Sequence, residues 1–398
     1  MKPSKKLDQL STSIFSQLLV KKNQKLQLGQ NIIDLSIGSP DLPPPDIVKK
    51  SLSEHVLEDG AYAYPLTGTE EFKQAVTYFY SQRYHVDLQT SNVLQIIGSQ
   101  EGLSHLALAY LDQEDVVIVP DPGYPIYEAS VQIAGAQIYP VPLIEDNDFL
   151  PDLSSIPEDV AMKAKMMILN FPGNPIPTLA TREFFEQVIE FGLKYKILIV
   201  HDFAYSELIF DQQKPLSILS IPKARETAIE FNSLSKSFNM AGCRIAYVVG
   251  DEKLIEPLAI LKSHMDYGVF LPIQKAAALV LKSDFHFLDE HKRIYQQRRD
   301  TFIHILHDKG WNVRKPEGGM FVWAKLREDV RSMDFAFKAI DYGVLVTPGV
   351  SFGAYGEGYI RLALVHPEDV LEQAAERLVQ CVGFFSRDSS SHVMNVVE

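Results

Sequence analysis

The sequence predicts an α/β protein in which a mostly parallel sheet lies between two layers of helices. Short apolar runs alternate with amphipathic stretches between about residues 90 and 250, a rhythm typical of strands buried on both faces. REFFEQVIEFGLKYK at 182–196 has the length of a connecting helix. Together these features indicate a three-layer αβα domain with right-handed crossover connections.

The apolar runs predict seven strands for this large domain. They are VLQII (93–97), VVIVP (116–120), AQIYPVP (136–142), MMILNF (166–171), ILIVHD (197–202), AIEFNS (228–233) and RIAYVVG (244–250).

After about residue 285 the pattern changes to shorter strands with helices between them, which predicts a smaller α+β domain. Its strands are expected in WNVRKPEGGMFVWAKL (311–326), VLVTPG (344–349) and YIRLALV (359–365). We predict four parts of the chain: an N-terminal segment of the small domain or lid (1–44), the large domain (45–285), the C-terminal small domain (286–385) and a flexible tail (386–398).

Composition and charge limit the kinds of partner. The 398 residues are 46% hydrophobic, enough for a large core, and the formal net charge of -13 disfavours nucleic-acid backbones and anionic membranes. No apolar run approaches the roughly 20 residues that span a bilayer, and the N-terminus lacks a signal-peptide pattern. The two cysteines, Cys243 and Cys381, cannot form a disulfide framework or a cysteine zinc site. These observations predict a cytoplasmic protein that acts on small molecules, with no metal.

Polar residues follow the predicted strands, where ligands bind in open parallel sheets. The first three groups are the GSQEG turn with Ser99 and Gln100, Tyr124 in DPGYPIY, and Asn174 in PGNPIPT. The GSQEG turn offers backbone amides at a helix start, which suit an anion. Taken singly, an ordinary helix cap explains the GSQEG turn equally well, and a turn alone is enough to explain Asn174.

The last two strand ends carry the charged groups. Asp202 and Tyr205 follow ILIV, and SLSKSFNMAGCR (233–244) follows AIEF with Ser233, Ser235, Lys236 and Arg244. An anion cradle, an aromatic plate, an amide, a carboxylate with a phenol, and a lysine match the parts of pyridoxal phosphate. That cofactor has a phosphate, a flat ring, a phenolic oxygen, a ring nitrogen that works best protonated, and an aldehyde that reacts with lysine.

The whole motif set resembles the class I/II aminotransferases, which are fold-type I pyridoxal-phosphate enzymes. The motifs are S-x-S-K at 233–236 with an arginine eight residues later, D-x-x-Y at 202–205, N-P at 174–175 and P-x-Y-P at 122–125. Further similar segments are SIGSPDLPPP, AYAYPLTGTEEF, PEGGMF, TPGVSFG and YIRLAL, so the resemblance covers nearly the whole chain.

The resemblance implies specific roles for the reacting groups. Lys236 forms the Schiff base and then carries a proton between the substrate Cα and the cofactor, for which burial and nearby cations must lower its pKa. Asp202 pairs with the ring nitrogen. Tyr205 and Asn174 bind the phenolic oxygen.

The resemblance also implies the groups that hold the cofactor and the substrate. Tyr124 stacks on the ring, and Arg361, helped by Asn174 and Gly38, binds the α-carboxylate of the amino acid. Tyr64 reaches the phosphate of the other subunit, which implies a homodimer with shared active sites. The phosphate is held by Ser99, Gln100, Ser233, Ser235 and Arg244.

Three positions depart from the common family pattern. Pro177 stands in place of a glycine in the N-P-T-G motif, Cys243 in place of a tryptophan, and Lys73 in place of an arginine. A proline cannot adopt the positive φ that glycine allows, so the loop after Asn174 is expected to differ, which weakens any transfer of substrate preference from the family. Cys243 is interpreted as a small buried residue, with a reactive thiol as the alternative.

The predicted activity is transfer of an amino group from an L-amino acid to a 2-oxo acid in two half reactions. HDFAYSELIFD, SLSKSFNMAGCR and KSHMDYGVFLPIQ most resemble the branch with LL-diaminopimelate, alanine and methionine-salvage aminotransferases. Two alternatives stay open: a C-S β-lyase on the same fold, and a non-catalytic module that binds the cofactor. A Rossmann dehydrogenase is disfavoured because no G-x-G-x-x-G follows a strand.

Overall fold

The computed structural model describes residues 2, 4, 6, 7 and 10 and the continuous stretch 13–392, with the backbone alone for 13–17 and 386–392. The strands are β1 (Ile33–Asp34), β2 (Val93–Ile96), β3 (Val116–Asp121), β4 (Gln137–Pro142), β5 (Ala164–Leu169), β6 (Leu198–Asp202), β7 (Ala228–Ser233), β8 (Ala246–Gly250), β9 (Phe321–Lys325), β10 (Val344–Leu345), β11 (Thr347–Pro348) and β12 (Tyr359–Ala363). The α-helices are α1 (Ser13–Gln27), α2 (Asp46–His55), α3 (Glu70–Tyr84), α4 (Ser99–Tyr110), α5 (Ile126–Ala134), α6 (Glu158–Lys163), α7 (Arg182–Tyr195), α8 (Leu234–Ser237), α9 (Glu252–Met265), α10 (Leu271–Leu281), α11 (His286–Asp308), α12 (Ser332–Asp341) and α13 (Glu368–His392).

A seven-stranded sheet in the order β2-β8-β7-β6-β5-β3-β4 forms the centre of the large domain. Strand β8 is antiparallel to both of its neighbours, β2 and β7, whereas the pairs among β3, β4, β5, β6 and β7 are all parallel. All seven strands predicted from the apolar runs are therefore present, and the α/β class with a mostly parallel sheet is confirmed.

Helix α7 shows how local sequence builds the covering layers. The Thr181 side chain accepts a hydrogen bond from the Phe184 backbone N–H and caps the helix start, and Lys196 ends the helix in the left-handed region. Phe185 and Val188 lie on the buried face between these ends. The segment 182–196 is thus helical as predicted, with its apolar residues on the buried face.

The core lies on both faces of the sheet and continues into the smaller part of the chain. Phe72, Phe185 and Ile199 belong to a cluster on one face, and Leu103, Val131 and Val200 belong to a cluster on the other. A third cluster, which includes Leu35, Phe302 and Leu362, packs residues of the N-terminal segment with those of the C-terminal part. Burial on both faces is what the near-continuous apolar runs of the strands require.

The C-terminal part contains an antiparallel sheet in the order β11-β12-β9, and β1 pairs in parallel with β10. Asp41, beyond β1, forms a two-point ion pair with the buried Arg298 of α11, with N–O distances of 2.8 and 2.7 Å. These contacts join the N-terminal segment to the C-terminal part across more than 250 residues of sequence.

The C-terminal helix α13 continues to His392 and so contains the first seven residues of the predicted tail, while residues 393–398 lie outside the described residues. Within the described part of the chain, no helix is both long enough and apolar enough to cross a membrane.

Candidate active site

A cavity of about 400 Å³ lies at the carboxyl edge of the large sheet. Because β2, β3, β5, β6 and β7 all end at this edge and the antiparallel β8 begins there, the sheet brings six connections to one place. The cavity lining includes twelve of the thirteen residues singled out in the sequence: Gly38, Ser99, Gln100, Tyr124, Asn174, Asp202, Tyr205, Ser233, Ser235, Lys236, Arg244 and Arg361.

Tyr64 is the one candidate that does not line this cavity. Its side chain is 82% exposed, and its ring lies 5.4 Å from that of Tyr267, which is also exposed. Tyr64 is therefore exposed and does not line the cavity of its own chain.

The proposed anion cradle combines a helix start with an arginine. Gly98 has a φ of +120°, and a Cβ placed on it would lie 2.4 Å from Nη2 of Arg244, so only glycine allows this approach. Helix α4 begins at Ser99, whose buried hydroxyl has no hydrogen-bond partner among the described residues. An unpartnered hydroxyl, the free N–H groups of a helix start and a guanidinium form a site suited to a phosphate.

Lys236 lies on the short helix α8, directly after β7. Its Nζ donates a 2.7 Å hydrogen bond to the carbonyl oxygen of Gly38. Burial, and then the positive charges of Arg361 and Arg244, lower the pKa of Lys236 to about 8. The direction and both causes agree with what the sequence reading requires of a proton-transferring lysine.

Asp202 is the last residue of β6 and is buried beneath the cavity. Burial raises the pKa of its carboxyl group, while a 2.8 Å hydrogen bond from the Tyr127 hydroxyl and the nearby charges of His201 and Lys236 act to lower it. The side chain of Asn170 donates to the Asp202 carbonyl oxygen at 2.6 Å. The carboxylate is thus held in one position and aimed at the cavity.

The aromatic groups of the cavity are oriented by one another. The Tyr124 hydroxyl donates to Oε1 of Gln100 at 3.3 Å, and its ring meets that of Tyr127 edge to face at 5.8 Å. Burial raises the pKa of Tyr205, whose ring packs against Phe321 at 5.8 Å. Tyr205 therefore stays a neutral hydrogen-bonding phenol over the physiological pH range.

Arg361, in the middle of β12, extends from the C-terminal part into the cavity. Its Nη1 donates to Oδ1 of Asn174 at 2.7 Å, and its guanidinium lies 4.3 Å from the ring centroid of Phe321 and 4.8 Å from that of Phe352. Burial lowers its pKa to about 10, so it stays charged at neutral pH. Its buried Nε has no hydrogen-bond partner among the described residues. A buried cation with a free donor between aromatic rings fits a carboxylate.

The cavity contains residues that sequence reasoning missed: Ser36, Tyr127, Asn170, Phe321 and Phe352. Tyr127 follows Tyr124 by three positions on the start of α5, and Asn170 directly follows β5. Both positions gave a signal in the sequence, since one turn of helix and the end of a strand are where side chains reach such an edge. Ser36, Phe321 and Phe352 lie in the family-like segments SIGSPDLPPP, PEGGMF and TPGVSFG. Nothing in those segments marks these three residues as cavity residues, because they are far in the chain from the strand ends.

The three residues that depart from the family pattern do not line the cavity. The carbonyl oxygen of Pro177 accepts hydrogen bonds from the N–H groups of Glu317 and Gly318, and Lys73 lies on α3 outside the cavity lining. Burial raises the pKa of the half-buried Cys243. A raised pKa disfavours the thiolate, which supports the interpretation of Cys243 as a packing residue.

The residues present fit pyridoxal phosphate. Two cavity residues have a buried polar atom without a hydrogen-bond partner among the described residues: Ser99 at Oγ, where a phosphate needs a donor, and Arg361 at Nε, where a substrate carboxylate does. The amine of Lys236 and the carboxylate of Asp202 line the same cavity. Fold and site together define a pyridoxal-phosphate enzyme of fold type I.

Comparison with known proteins gives the family. The model of the aminotransferase class I and II family matches residues 30–378. The LL-diaminopimelate aminotransferase of Moorella thermoacetica is 39% identical over 386 residues, which are 96% of this chain and 99% of that protein.

Solved structures agree with this relationship. Substrate-bound BacF from Bacillus subtilis has a TM-score of 0.91 and 33% identity, covering 96% of this chain and 98% of that one. The probable N-succinyldiaminopimelate aminotransferase from Thermus thermophilus has a TM-score of 0.89 and 33% identity, covering 93% of this chain and 100% of that one.

The chain belongs to the aminotransferase class I and II family. It is a pyridoxal-phosphate-dependent enzyme that transfers an amino group from an amino acid to a 2-oxo acid. The predicted branch agrees with the names of the relatives, and nothing in the comparisons supports the lyase alternative.

Proposed function

We propose that Lys236 is the catalytic lysine of this aminotransferase, which holds the cofactor covalently and moves a proton at the substrate Cα. The support is its place in the cavity and its pKa of about 8, because a base of this strength gives and takes protons near physiological pH. Arg361 and Arg244, whose charges contribute to this pKa, act as binding groups as well.

Asp202 is the proposed partner of the cofactor's ring nitrogen. When bound, pyridoxal phosphate supplies an aldehyde that captures the amino group and a ring that withdraws electrons from Cα. The buried carboxylate of Asp202 holds a proton on the ring nitrogen and so keeps the ring electron-poor. Tyr205 and Asn174 donate hydrogen bonds to the phenolic oxygen.

The phosphate group is proposed to bind at the start of α4. Arg244 supplies the charge and a two-point contact, and the Ser99 hydroxyl supplies a donor that is otherwise unpartnered. Tyr124 covers the ring face. The further groups of this cradle are the backbone of Gln100 and the hydroxyls of Ser233 and Ser235.

Arg361 is proposed to bind the substrate α-carboxylate, with Asn174 and the backbone of Gly38 beside it. Asn174 already accepts a hydrogen bond from Arg361 at 2.7 Å, which orients the guanidinium. A carboxylate held by Arg361 would keep the substrate Cα in the cavity that Lys236 also lines, and orientation of this kind is a large part of catalysis.

The observation that carries these roles is that Lys236, Asp202, Arg244 and Arg361 line one cavity although they come from distant parts of the chain. The test is the visible absorption of the purified protein with and without each of a panel of L-amino acids, in the absence of any 2-oxo acid. We expect absorption from the lysine-bound cofactor, its loss in Lys236→Ala, and a shift to the aminated cofactor with certain amino acids.

Two outcomes of this test would contradict the roles. One is a protein that does not take up the cofactor. The other is covalent binding that persists in Lys236→Ala. Release of pyruvate and ammonia from cysteine conjugates without an acceptor would instead identify a lyase.

The proposed substrates are an L-amino acid and a 2-oxo acid, with glutamate or alanine and 2-oxoglutarate or pyruvate in one half reaction. LL-diaminopimelate heads the panel for the other half, because relatives of 38 to 40% identity carry the name LL-diaminopimelate aminotransferase. Steady-state kinetics with LL-diaminopimelate and 2-oxoglutarate test this choice, and a kcat/KM below that of other amino acids would reject it.

The enzyme is proposed to act as a homodimer that shares its active sites. Tyr64 is exposed and does not line its own cavity, and other large apolar side chains near it in the chain or in the segment that its ring contacts are exposed as well: Leu57, Tyr62, Leu66, Met265 and Tyr267. An apolar patch of this kind is typical of an interface. Light scattering on the holoenzyme should give twice the chain mass, and a monomer would reject the assembly.

The cytoplasm is the proposed compartment. Cys243 and Cys381 are both free thiols, as expected in a reducing environment. Fractionation of cells that produce the protein should find it with cytoplasmic markers, and recovery with an exported fraction would contradict this.

A further inference from the structure

Lys262 forms a buried ion bridge between two helices outside the cavity. It lies near the end of α9 and is 6% exposed. Its Nζ is 2.8 Å from Oε1 of Glu101 on α4 and 2.8 Å from Oδ1 of Asp266 just beyond α9. One cation therefore joins two carboxylates that belong to different parts of the chain.

The Glu101 end of the bridge holds the anion cradle. The second carboxylate oxygen of Glu101 accepts a 2.8 Å hydrogen bond from the backbone N–H of Ile97. Ile97 directly precedes Gly98 and Ser99, where the cradle begins. Glu101 thus fixes the turn between β2 and α4 and can do so only while its own position is fixed.

The Asp266 end of the bridge holds the loop that carries Tyr64. The Gly268 N–H donates to the Pro65 carbonyl oxygen at 2.5 Å, and the Tyr267 ring packs on the Tyr64 ring. A Cβ on Gly268 would lie 2.8 Å from the carbonyl oxygens of Pro65 and Thr67, so the two segments touch backbone to backbone.

The segment 266–269, which follows α9, is tied to β2 as well. The buried side chain of Gln95 accepts a hydrogen bond from the Val269 N–H at 3.0 Å. Gln274 accepts from the Thr69 N–H at 2.7 Å and donates to the Val269 carbonyl oxygen at 2.6 Å. The cradle turn, the segment 266–269 and the segment 64–69 therefore form one connected unit, with Lys262 at its centre.

A metal ion is the alternative occupant of this cluster. Glu101, His105 and Asp266 offer ligand atoms that lie within 4.8 Å of one another. His105 Nδ1 is 2.6 Å from Oε1 of Glu101 and 3.8 Å from Oδ2 of Asp266. The ammonium group of Lys262 already lies 2.8 Å from an oxygen of each carboxylate, so it holds the position between them and neutralises one of their two negative charges.

Loss of the Lys262 charge would leave the carboxylates of Glu101 and Asp266 without their ammonium partner, with only the His105 ring beside them and with side chains 20% and 21% exposed. Like charges in such surroundings repel strongly and separate the elements that carry them. The elements that move are then the cradle turn on one side and the Tyr64 loop on the other.

We propose that Lys262 is a positioning residue that holds the anion cradle of its own chain and the Tyr64 loop in one arrangement. This rests on the proposed function, in which Tyr64 reaches the phosphate in the partner's site. In that dimer each Lys262 acts on both sites, so a substitution of Lys262 in one chain weakens cofactor binding in both.

The first experiment measures the rate at which the holoenzyme loses its cofactor in the presence of excess inorganic phosphate. We expect Lys262→Met to accelerate the loss by about tenfold, because a hydrogen-bonded charge is removed, and Lys262→Arg to restore part of the difference. Lys253→Met is the control, since Lys253 is an exposed lysine on the same helix.

A second variant covers a failure of Lys262→Met to fold. The combination Glu101→Gln, Lys262→Met and Asp266→Asn removes all three charges and leaves no facing carboxylates. We expect it to fold and to lose the cofactor faster than the wild type, since the ties of the bridge are weakened. A wild-type loss rate in this variant would overturn the proposal.

Hybrid dimers separate the two actions of Lys262. In the first hybrid, one chain carries Lys236→Ala with Lys262→Met and the other is wild type. Only the wild-type chain can hold the cofactor covalently, and its Tyr64 contact comes from the altered chain. In the second hybrid, one chain carries Lys236→Ala and the other Lys262→Met, so the altered cradle receives an intact Tyr64 contact.

We expect both hybrids to lose the cofactor faster than the reference hybrid of Lys236→Ala with wild type, by about fivefold or more. A first hybrid equal to the reference would overturn the action of Lys262 on the partner's site. Cofactor binding and dimerisation of the wild type are measured beforehand. Their failure rejects the proposed function, whereas normal wild-type binding with unchanged Lys262 variants rejects this inference alone.

Discussion

The hydroxyl of Tyr127 donates a 2.8 Å hydrogen bond to Oδ2 of Asp202, and both side chains are buried. Burial raises the pKa of Asp202, and the hydrogen bond from Tyr127 is the largest effect acting against it. Asp202 can hold a proton on the cofactor's ring nitrogen only as a carboxylate. Tyr127 therefore supports the proposed role of Asp202 through this hydrogen bond, without taking part in the reaction itself.

We expect Tyr127→Phe to raise the pKa of Asp202, because the carboxylate loses a donor that stabilises its charge. The acid limb of the kcat/KM profile should move to higher pH, and kcat at neutral pH should fall by about three- to tenfold. The pH profiles of both proteins check this.

Tyr110→Phe is the matched control for this prediction, since the Tyr110 hydroxyl bonds to the Leu254 carbonyl oxygen away from the cavity. An acid limb that does not move in Tyr127→Phe would show that the hydrogen bond leaves the acidity of Asp202 unchanged.

Lys236 should give the cofactor-free protein a pH-dependent stability. Its pKa is about 8 in the folded chain and 10.5 is the value for a free lysine, so between these pH values the unfolded chain binds more protons. The free energy of unfolding should then rise with pH over this window, by about 1 to 3 kcal/mol. Below pH 8 both states bind the proton and the slope vanishes.

Urea unfolding of the cofactor-free protein at several pH values, with Lys236→Met as the reference, measures this effect. The slope between pH 8 and 10 should be larger for the wild type than for the variant. Equal slopes would mean that Lys236 is not buried as described.

Arg361→Lys should weaken substrate binding far more than cofactor binding. A lysine lacks the planar fork that binds a carboxylate at two points, and it leaves Asn174 without its partner. We expect kcat/KM for any accepted amino acid to fall by about 100-fold, with an unchanged absorption spectrum of the bound cofactor. Arg327→Lys, at an exposed arginine, serves as the control. Faster loss of the cofactor from Arg361→Lys than from the wild type would argue against this division of roles.

Gly98→Ala should damage the phosphate cradle. The new Cβ would meet Nη2 of Arg244 at 2.4 Å, and the φ of +120° is unfavourable for alanine. We expect the dissociation constant of the cofactor to rise by about tenfold.

Gly135→Ala separates the two effects of that substitution. Gly135 also has a positive φ, of +92°, but no atom lies within 4 Å of the position that a Cβ would take there. It should lose stability by about 1 kcal/mol without losing cofactor affinity. Cofactor titrations and thermal unfolding of both variants measure the difference. If Gly98→Ala and Gly135→Ala bind the cofactor equally well, the contact between the new Cβ and Arg244 does not affect cofactor binding.

Much of the fold and site was accessible from the sequence. The seven strands of the large sheet follow from apolar runs, because burial on both faces of a parallel sheet demands apolar residues at successive positions. Asp202 and Lys236 could be placed at one edge because parallel strands end on the same side. Arg361 was different, since only the resemblance to a family gave it a role.

The contacts between distant segments could not be predicted. Arg361 and Asn174 are 187 residues apart and Lys262 and Glu101 are 161 residues apart, yet each pair is hydrogen-bonded. Phe321 lies in PEGGMF, a segment that resembles the family, but nothing in that segment predicts that its ring packs against Arg361. Such pairs depend on how whole elements pack against one another, and local sequence patterns do not contain that information.

The sequence by itself determined the class of fold, the positions of the strand ends and the chemical types of group found there. Backbone periodicity and side-chain polarity are local properties, so they can be read residue by residue. Only the tertiary structure decided the pKa of Lys236, the partner of Asp202 and the outward direction of Tyr64. These depend on burial and on distances of a few ångströms, which exist only once the elements have packed.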